Sequence, residues 1–276
     1  MTSIGQTQGL LVMTASLAGL IIGSFINIIV SRLPKIMEHE WQLEYEVFAN
    51  QNRPHPKKYN LLTSKSTCTE CHTQILALDN IPLISYLMLG GKCRACKATI
   101  SRRYLAIEII SGVTLGFIVW KFGISLSALA FSVFTFTLIT LAAIDLETHL
   151  LPDRITMPLI WLGLLYNLNT GFTDIRSAVL GAVFGYLILW ALYWAFKHIT
   201  GKDGMGYGDF KMLSAIGACL GWKLLPAVIL ISSIAASVIG LLLLSLSGKD
   251  KNSAIPFGPF LAFGGLLTAY LGRVVA

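Results

Sequence analysis

The stretch SLSALAFSVFTFTLITLAAIDLETHLLPD, residues 125–153, decides the fold. Ser125–Ile144 carry no charged side chain, and about twenty such residues are what a helix needs to cross the hydrocarbon core of a bilayer. The run ends on a carboxylate, Asp145, with Glu147, His149 and Asp153 close behind. A second carboxylate, Asp209, closes Gly206-Tyr207-Gly208-Asp209 ahead of another apolar segment. An ionisable group at membrane depth is costly and marks a functional site by default. Two carboxylates that can meet suffice for acid–base hydrolysis of a peptide bond, because one holds a proton while the other activates water.

The rest of the chain agrees with a membrane setting. It has 276 residues, of which 55% are hydrophobic and 13% charged, and a mean hydropathy of +0.70. Those values predict an all-α polytopic integral membrane protein and exclude an ordinary soluble domain. Apolar runs lie near 10–31, 104–121, 125–145, 155–170, 177–197, 224–246 and 256–273. Residues 212–222 are shorter and interrupted by glycine, either a short span or a half-buried helix; counting them predicts about eight transmembrane helices. No basic n-region precedes the first run, so Leu10–Val30 is read as a span and not as a cleaved signal peptide.

Charge sets the orientation. Residues 32–103 hold 11 Lys/Arg and 6 Asp/Glu, against 10 and 8 in the remainder. With the N-terminus outside, the cytoplasmic segments 32–103, 146–154, 197–211 and 248–255 hold 17 Lys/Arg and the outer ones 4. Basic loops stay on the cytoplasmic side, so Asp145 and Asp209 are expected on the cytoplasmic face at similar depth. The formal charge of +7 comes with no aromatic-and-basic recognition pattern, and no nucleic-acid partner is expected. Three parts follow: a first span in 1–31, a cytoplasmic domain in 32–103 and a membrane core in 104–276.

The cytoplasmic segment contains Cys68-Thr69-Glu70-Cys71 and Cys93-Arg94-Ala95-Cys96. Two CxxC knuckles at this spacing suit tetrahedral Zn²⁺ in a small ribbon. Disulfides or a redox pair are the alternatives, the former disfavoured where thiols stay reduced. Four cysteines leave no open coordination position, so the predicted role of Cys68, Cys71, Cys93 and Cys96 is structural. His72 is read as a surface residue and Cys219, within an apolar segment, as a packing residue. Glu38–Glu46 is a candidate amphipathic surface helix, and 50–60 reads as an extended linker.

Around the carboxylates, Gly206 and Gly208 remove side chains just before Asp209, which permits close approach and unusual backbone angles. No Walker lysine or strand–helix context accompanies them, so a nucleotide site is not expected. Asp145 alone could be an ordinary helix cap, and Pro152-Asp153 reads as a turn followed by a helix start. Glu108 is either a supporting residue or, the favoured reading, an interfacial carboxylate paired with Arg102 and Arg103. Asn27 is expected to join helices by hydrogen bonding, and Pro256-Phe257-Gly258-Pro259 to shape the mouth of the site. If the aspartates approach closely, one shared proton and two macroscopic pKa values describe the pair.

These residues resemble the bacterial type IV prepilin peptidases, the bifunctional leader peptidase/N-methyltransferases of pilus and type II secretion systems. The matching stretches are Gly23-Ser24-Phe25-Ile26-Asn27 through Arg32-Leu33-Pro34, both CxxC pairs, Asp79-Asn80-Ile81-Pro82-Leu83-Ile84-Ser85-Tyr86 and Ser101-Arg102-Arg103-Tyr104. Ile144-Asp145-Leu146, Leu150-Leu151-Pro152-Asp153, Gly206-Tyr207-Gly208-Asp209 and Pro256-Phe257-Gly258-Pro259 complete them. The resemblance implies a GxGD-type intramembrane aspartyl protease with Asp145 and Asp209 as its catalytic pair. It implies removal of the basic leader from prepilins or pseudopilins after a glycine, then methylation of the new N-terminus by S-adenosylmethionine. A bacterial inner-membrane location follows, with a periplasmic N-terminus. The competing readings are a peptidase without methylation, a zinc-stabilised membrane assembly factor whose aspartates pair with lysines, and a metalloprotease.

Overall fold

The computed structural model describes residues 2–48, 70–71, 73–74, 90–99, 101–169, 171–247 and 255–275. Cys68, His72, the linker 50–60 and the stretch 79–86 lie outside the described residues. Eight α-helices are found among those described: α1 (Thr2–Phe48), α2 (Arg102–Phe122), α3 (Leu126–Thr148), α4 (Asp153–Asn169), α5 (Ile175–Thr200), α6 (Tyr207–Leu220), α7 (Leu225–Ser247) and α8 (Gly258–Val275). A 3₁₀ turn, Trp222–Leu224, links α6 to α7. No strand forms among the described residues; one isolated bridge joins Lys92 and Thr99. The all-α class is as the composition predicts. Five helical stretches are long and apolar enough to cross a membrane: α1, α2, α3, α5 and Trp222–Leu243. The helices at the other three expected spans, α4, α6 and α8, do not meet that length and apolarity.

Helix ends follow local chemistry. Ser101 caps α2, its hydroxyl accepting from the Arg103 N–H at 3.4 Å, and Asp174 caps α5 through the Ser177 N–H at 2.9 Å. Such caps satisfy donors that the helix leaves open. Gly201 stops α5 in the left-handed conformation, at φ 69, where a side chain would be strained.

The chain forms two compact units, Met1–Ser132 and Val133–Ala276. In the first, α1 lies along α2 through small residues. A Cβ on Gly19 would lie 2.6 Å from Ser111 O, and one on Gly23 would lie 2.7 Å from Glu108 Cα. Backbones can come this close only without side chains. Asn27 Nδ2 donates to Tyr104 O at 3.0 Å, tying the two helices as expected.

Two of the features read from the sequence lie in this unit. The helix that carries the first span, expected near 10–31, continues beyond it to Phe48 with Pro34 inside, and Glu38–Glu46 is its extension. A helix of this length measures about 70 Å, more than twice a bilayer core of about 30 Å. Good helix formers after Pro34 let the helix resume despite the lost hydrogen bond. Glu108 is fully buried at the α1–α2 contact, where Gly23 lets α1 approach it closely.

In the second unit α6 is enclosed on all faces from Met212 onward. Of its 14 residues, Asp209, Phe210 and Met212–Leu220 are buried. Gly181 of α5 and Gly217 of α6 face each other so closely that a Cβ on either would strike the other's carbonyl. Gly185 likewise admits Leu213 O, and Gly163 of α4 admits the Cys219 sulfur. Cys219 is thus the packing residue expected. A helix apolar on every side has to be buried this way, and Asp209 sits in its first turn.

Candidate active site and metal centre

Asp145 lies in the last turn of α3. Three residues on the helix ends, and His149 takes a left-handed φ of 54 while its N–H bonds to Asp145 O at 3.0 Å. The short loop that follows carries Leu151 and leads through Pro152 into α4. Gly208, in the first turn of α6, meets that loop: a Cβ there would lie 2.7 Å from Leu151 Cβ. The close approach that glycine permits therefore brings the start of α6 against the end of α3. Asp209, the next residue, turns its N–H back to Gly206 O at 3.2 Å.

Both carboxylates are buried, Asp145 5% exposed and Asp209 7%, and the charge of Asp145 acts on Asp209. Asp145 Oδ2 accepts the Gly258 N–H at 2.9 Å. Asp209 Oδ1 has no hydrogen-bond partner among the described residues. Gly206 leaves space beside this pair, since a Cβ on it would have Asp209 Oδ2, at 3.8 Å, as its nearest neighbour. Its φ of −83 is open to any residue. The expected freedom to adopt unusual backbone angles is therefore not used at Gly206; what matters there is the empty volume.

No lysine or arginine pairs with either aspartate among the described residues. Lys211, two positions after Asp209, instead grips both oxygens of Asp153 at 2.8 and 2.7 Å, fastening the start of α6 to the start of α4. Nearby, Tyr193 donates to Asp203 at 2.6 Å and Lys197 pairs with Asp203 at 2.8 Å. The Lys197 ammonium and the Tyr193 hydroxyl hold the exposed Asp203 carboxyl below its ordinary range. Tyr193 also packs on Tyr207 and Phe210, ring centroids 5.5 and 5.8 Å away. The glycine-rich loop before Asp209 is thus anchored at both ends. Two buried acids with no lysine or arginine beside them are expensive, and such pairs are kept where they do chemistry.

The cysteine segment belongs to the first unit. The sulfurs of Cys71, Cys93 and Cys96 lie within 4.8 Å of one another. Thiolates around a tetrahedral Zn²⁺ stand about 3.8 Å apart, so the trio fits three corners of such a site. The second knuckle is a tight turn. Cys93 N–H bonds to Ala98 O at 2.8 Å, Lys97 N–H bonds to Cys93 O at 3.1 Å, and Lys97 takes a φ of 61. Glu108 belongs to this unit too, and not to the unit that carries the two aspartates.

Comparison with known proteins follows the same division. Residues 17–122 match the bacterial peptidase A24 N-terminal domain, and residues 132–241 match the type IV leader peptidase family. A prepilin leader peptidase/N-methyltransferase of Aeromonas salmonicida is 45% identical over 259 residues, covering 93% of this chain and 89% of that one. This chain belongs to the type IV leader peptidase family. The prepilin leader peptidase/N-methyltransferase of Pseudomonas aeruginosa is 44% identical over 262 residues, 95% of this chain and 90% of its own length. That of Burkholderia pseudomallei is 41% identical over 261 residues, 94% and 84% respectively. No solved structure matches the chain. A leader peptidase is a membrane enzyme, and the five membrane-length helical stretches fit one.

Two residues around the aspartate pair carry a contact that the sequence does not signal by itself, Gly258 and Lys211. The sequence places Gly258 only within the stretch Pro256-Phe257-Gly258-Pro259 expected to shape the mouth of the site, although a glycine between Phe257 and Pro259 at a helix start signals a close backbone approach. Lys211 has no signal in the sequence that separates it from an ordinary polar residue on a helix.

Proposed function

We propose that this chain removes the leader from type IV prepilins or pseudopilins and methylates the N-terminus so exposed. The membership in the leader peptidase family and the names of its relatives support both activities. The peptidase reading rests on one observation above all, the buried pair of Asp145 and Asp209 at the facing ends of α3 and α6 with no lysine or arginine paired to either among the described residues. In the proposed mechanism one aspartate is ionised and its partner protonated. The ionised carboxylate takes a proton from water as the oxygen attacks the scissile carbonyl, and the partner gives its proton to the carbonyl oxygen. Collapse of the tetrahedral intermediate then moves a proton to the departing nitrogen. Gly206 leaves room for the substrate backbone, and an acidic pair suits a basic leader.

S-adenosylmethionine is the proposed methyl donor, its sulfonium methyl passing to the new amine. Zn²⁺ held by Cys68, Cys71, Cys93 and Cys96 is proposed as the structural core of the domain spanning 32–103, with 1–31 as first span and 104–276 as peptidase core. The excess of basic residues in one set of loops supports an inner-membrane protein with its N-terminus in the periplasm and its dyad facing the cytoplasm.

Purified protein in detergent, mixed with a prepilin and S-adenosylmethionine and read by intact-mass spectrometry, tests this. The parent chain removes the leader and adds a methyl group. Asp145→Asn and Asp209→Asn each lower cleavage by about a thousandfold or more. Cleavage at the parent rate by either variant overturns the aspartic mechanism, and a cleaved product without the methyl overturns the second activity.

A further inference from the structure

We propose that the backbone N–H of Gly258 is a positioning group for Asp145; the inference rests on the peptidase reading above. The first turn of α8 is poor in donors by its sequence. Pro256 and Pro259 have no N–H, and the N–H groups of Phe260 and Leu261 bond to Phe257 O at 3.0 and 3.1 Å. The first N–H groups of a helix normally find a cap or water. That of Gly258 instead reaches 113 positions back in the chain to Asp145 Oδ2, in a buried contact of 2.9 Å.

Glycine is required there by the carboxylate and not by the backbone. Gly258 is absent from the glycines with positive φ, so another residue could adopt its conformation. A Cβ, however, would lie 2.6 Å from Asp145 Oδ2 and 3.1 Å from Asp145 Cγ. The amide approaches the carboxylate only because nothing projects from the residue that bears it. With Oδ2 held, the side chain is kept in one rotamer and Oδ1 is the oxygen left to exchange a proton with water. Proton transfer needs this fixed geometry before anything else.

A purely structural role, in which α8 merely docks, makes a different forecast, and the second activity separates the two. For cleavage, Gly258→Ala is expected to lower kcat about 100-fold with KM within about twofold. Methyl transfer to a pre-cleaved pilin should stay at the parent rate. Gly265→Ala serves as packing control in the same helix, since its Cβ would press on the Ile216 side chain, 3.0 Å from Cδ1, 3.3 Å from Cγ2 and 3.4 Å from Cγ1. A second variant replaces the Gly258 amide by an ester, with glycolic acid introduced by nonsense suppression. It removes the N–H and adds no side chain, and it should lower kcat about tenfold or more, even if Gly258→Ala fails to fold. An ester variant that cleaves at the parent rate overturns the proposal. So does a kcat loss matched by an equal loss of methyl transfer, or one reproduced by Gly265→Ala. A parent chain that cleaves no prepilin overturns the peptidase reading and the positioning role together.

Discussion

Gly206 and Gly208 are two positions apart, yet they serve different needs. Gly208 is pressed against Leu151 Cβ, an atom near the backbone that cannot swing away. Gly208→Ala is therefore expected to destabilise the protein by about 1–3 kcal/mol through overpacking, measured as a fall in the melting temperature in detergent. Gly206 is the N-cap of α6 in extended backbone, and serine caps a helix at least as well as glycine. Gly206→Ser should hold or raise the melting temperature while slowing cleavage, since it fills the space beside Asp209. If both variants lose stability equally, the distinction between a packing glycine and a space-keeping glycine fails. The spacing of the motif was legible in the sequence; this division of labour was not, because it depends on what faces each glycine.

At the scale of elements, the short and largely buried α6 is the support on which Asp209 stands, and one side chain holds its far end. Asn167 of α4 donates to Ala218 O and Cys219 O, both at 2.9 Å. It accepts from the Phe172 and Thr173 N–H groups at 2.6 and 3.2 Å. The last carbonyls of a helix have no partner within it, and burial without one is costly. Asn167→Ala should cost about 2 kcal/mol or more by thermal or chemical denaturation, with the KM of the surviving enzyme unchanged. A change of less than about 0.5 kcal/mol would show that other groups satisfy those carbonyls. The ion pair of Lys211 with Asp153, 26% and 56% exposed at its side chains, is worth less, about 0.2–1 kcal/mol.

For the whole molecule, the metal reading and the peptidase reading separate cleanly. The three described sulfurs fit a zinc site, and the proposed fourth ligand is Cys68. Metal analysis of the purified protein should find about one zinc per chain, and Cys93→Ser should lower that occupancy. A chelator should act on cleavage slowly, as the cysteine domain loses its metal, and not at once as in a metalloprotease. Immediate and complete inhibition would return the metalloprotease reading.

The sequence by itself determined the class of fold and the residues of interest. Apolar runs of membrane length, the loop charges and the paired CxxC knuckles are local signals, and each follows from the cost of placing charge or bare backbone in lipid. Asp145 and Asp209 stood out for the same reason, as carboxylates at the edges of such runs. Only the tertiary structure decided what meets what. It showed α1 continuing through Pro34, Glu108 buried beneath Gly23, α6 enclosed through Gly181 and Gly217, and the Gly258 amide on Asp145. These are contacts between residues far apart in the chain. They are fixed by how closely backbones approach where side chains are missing, a property of neighbours in space that no local pattern of residues records.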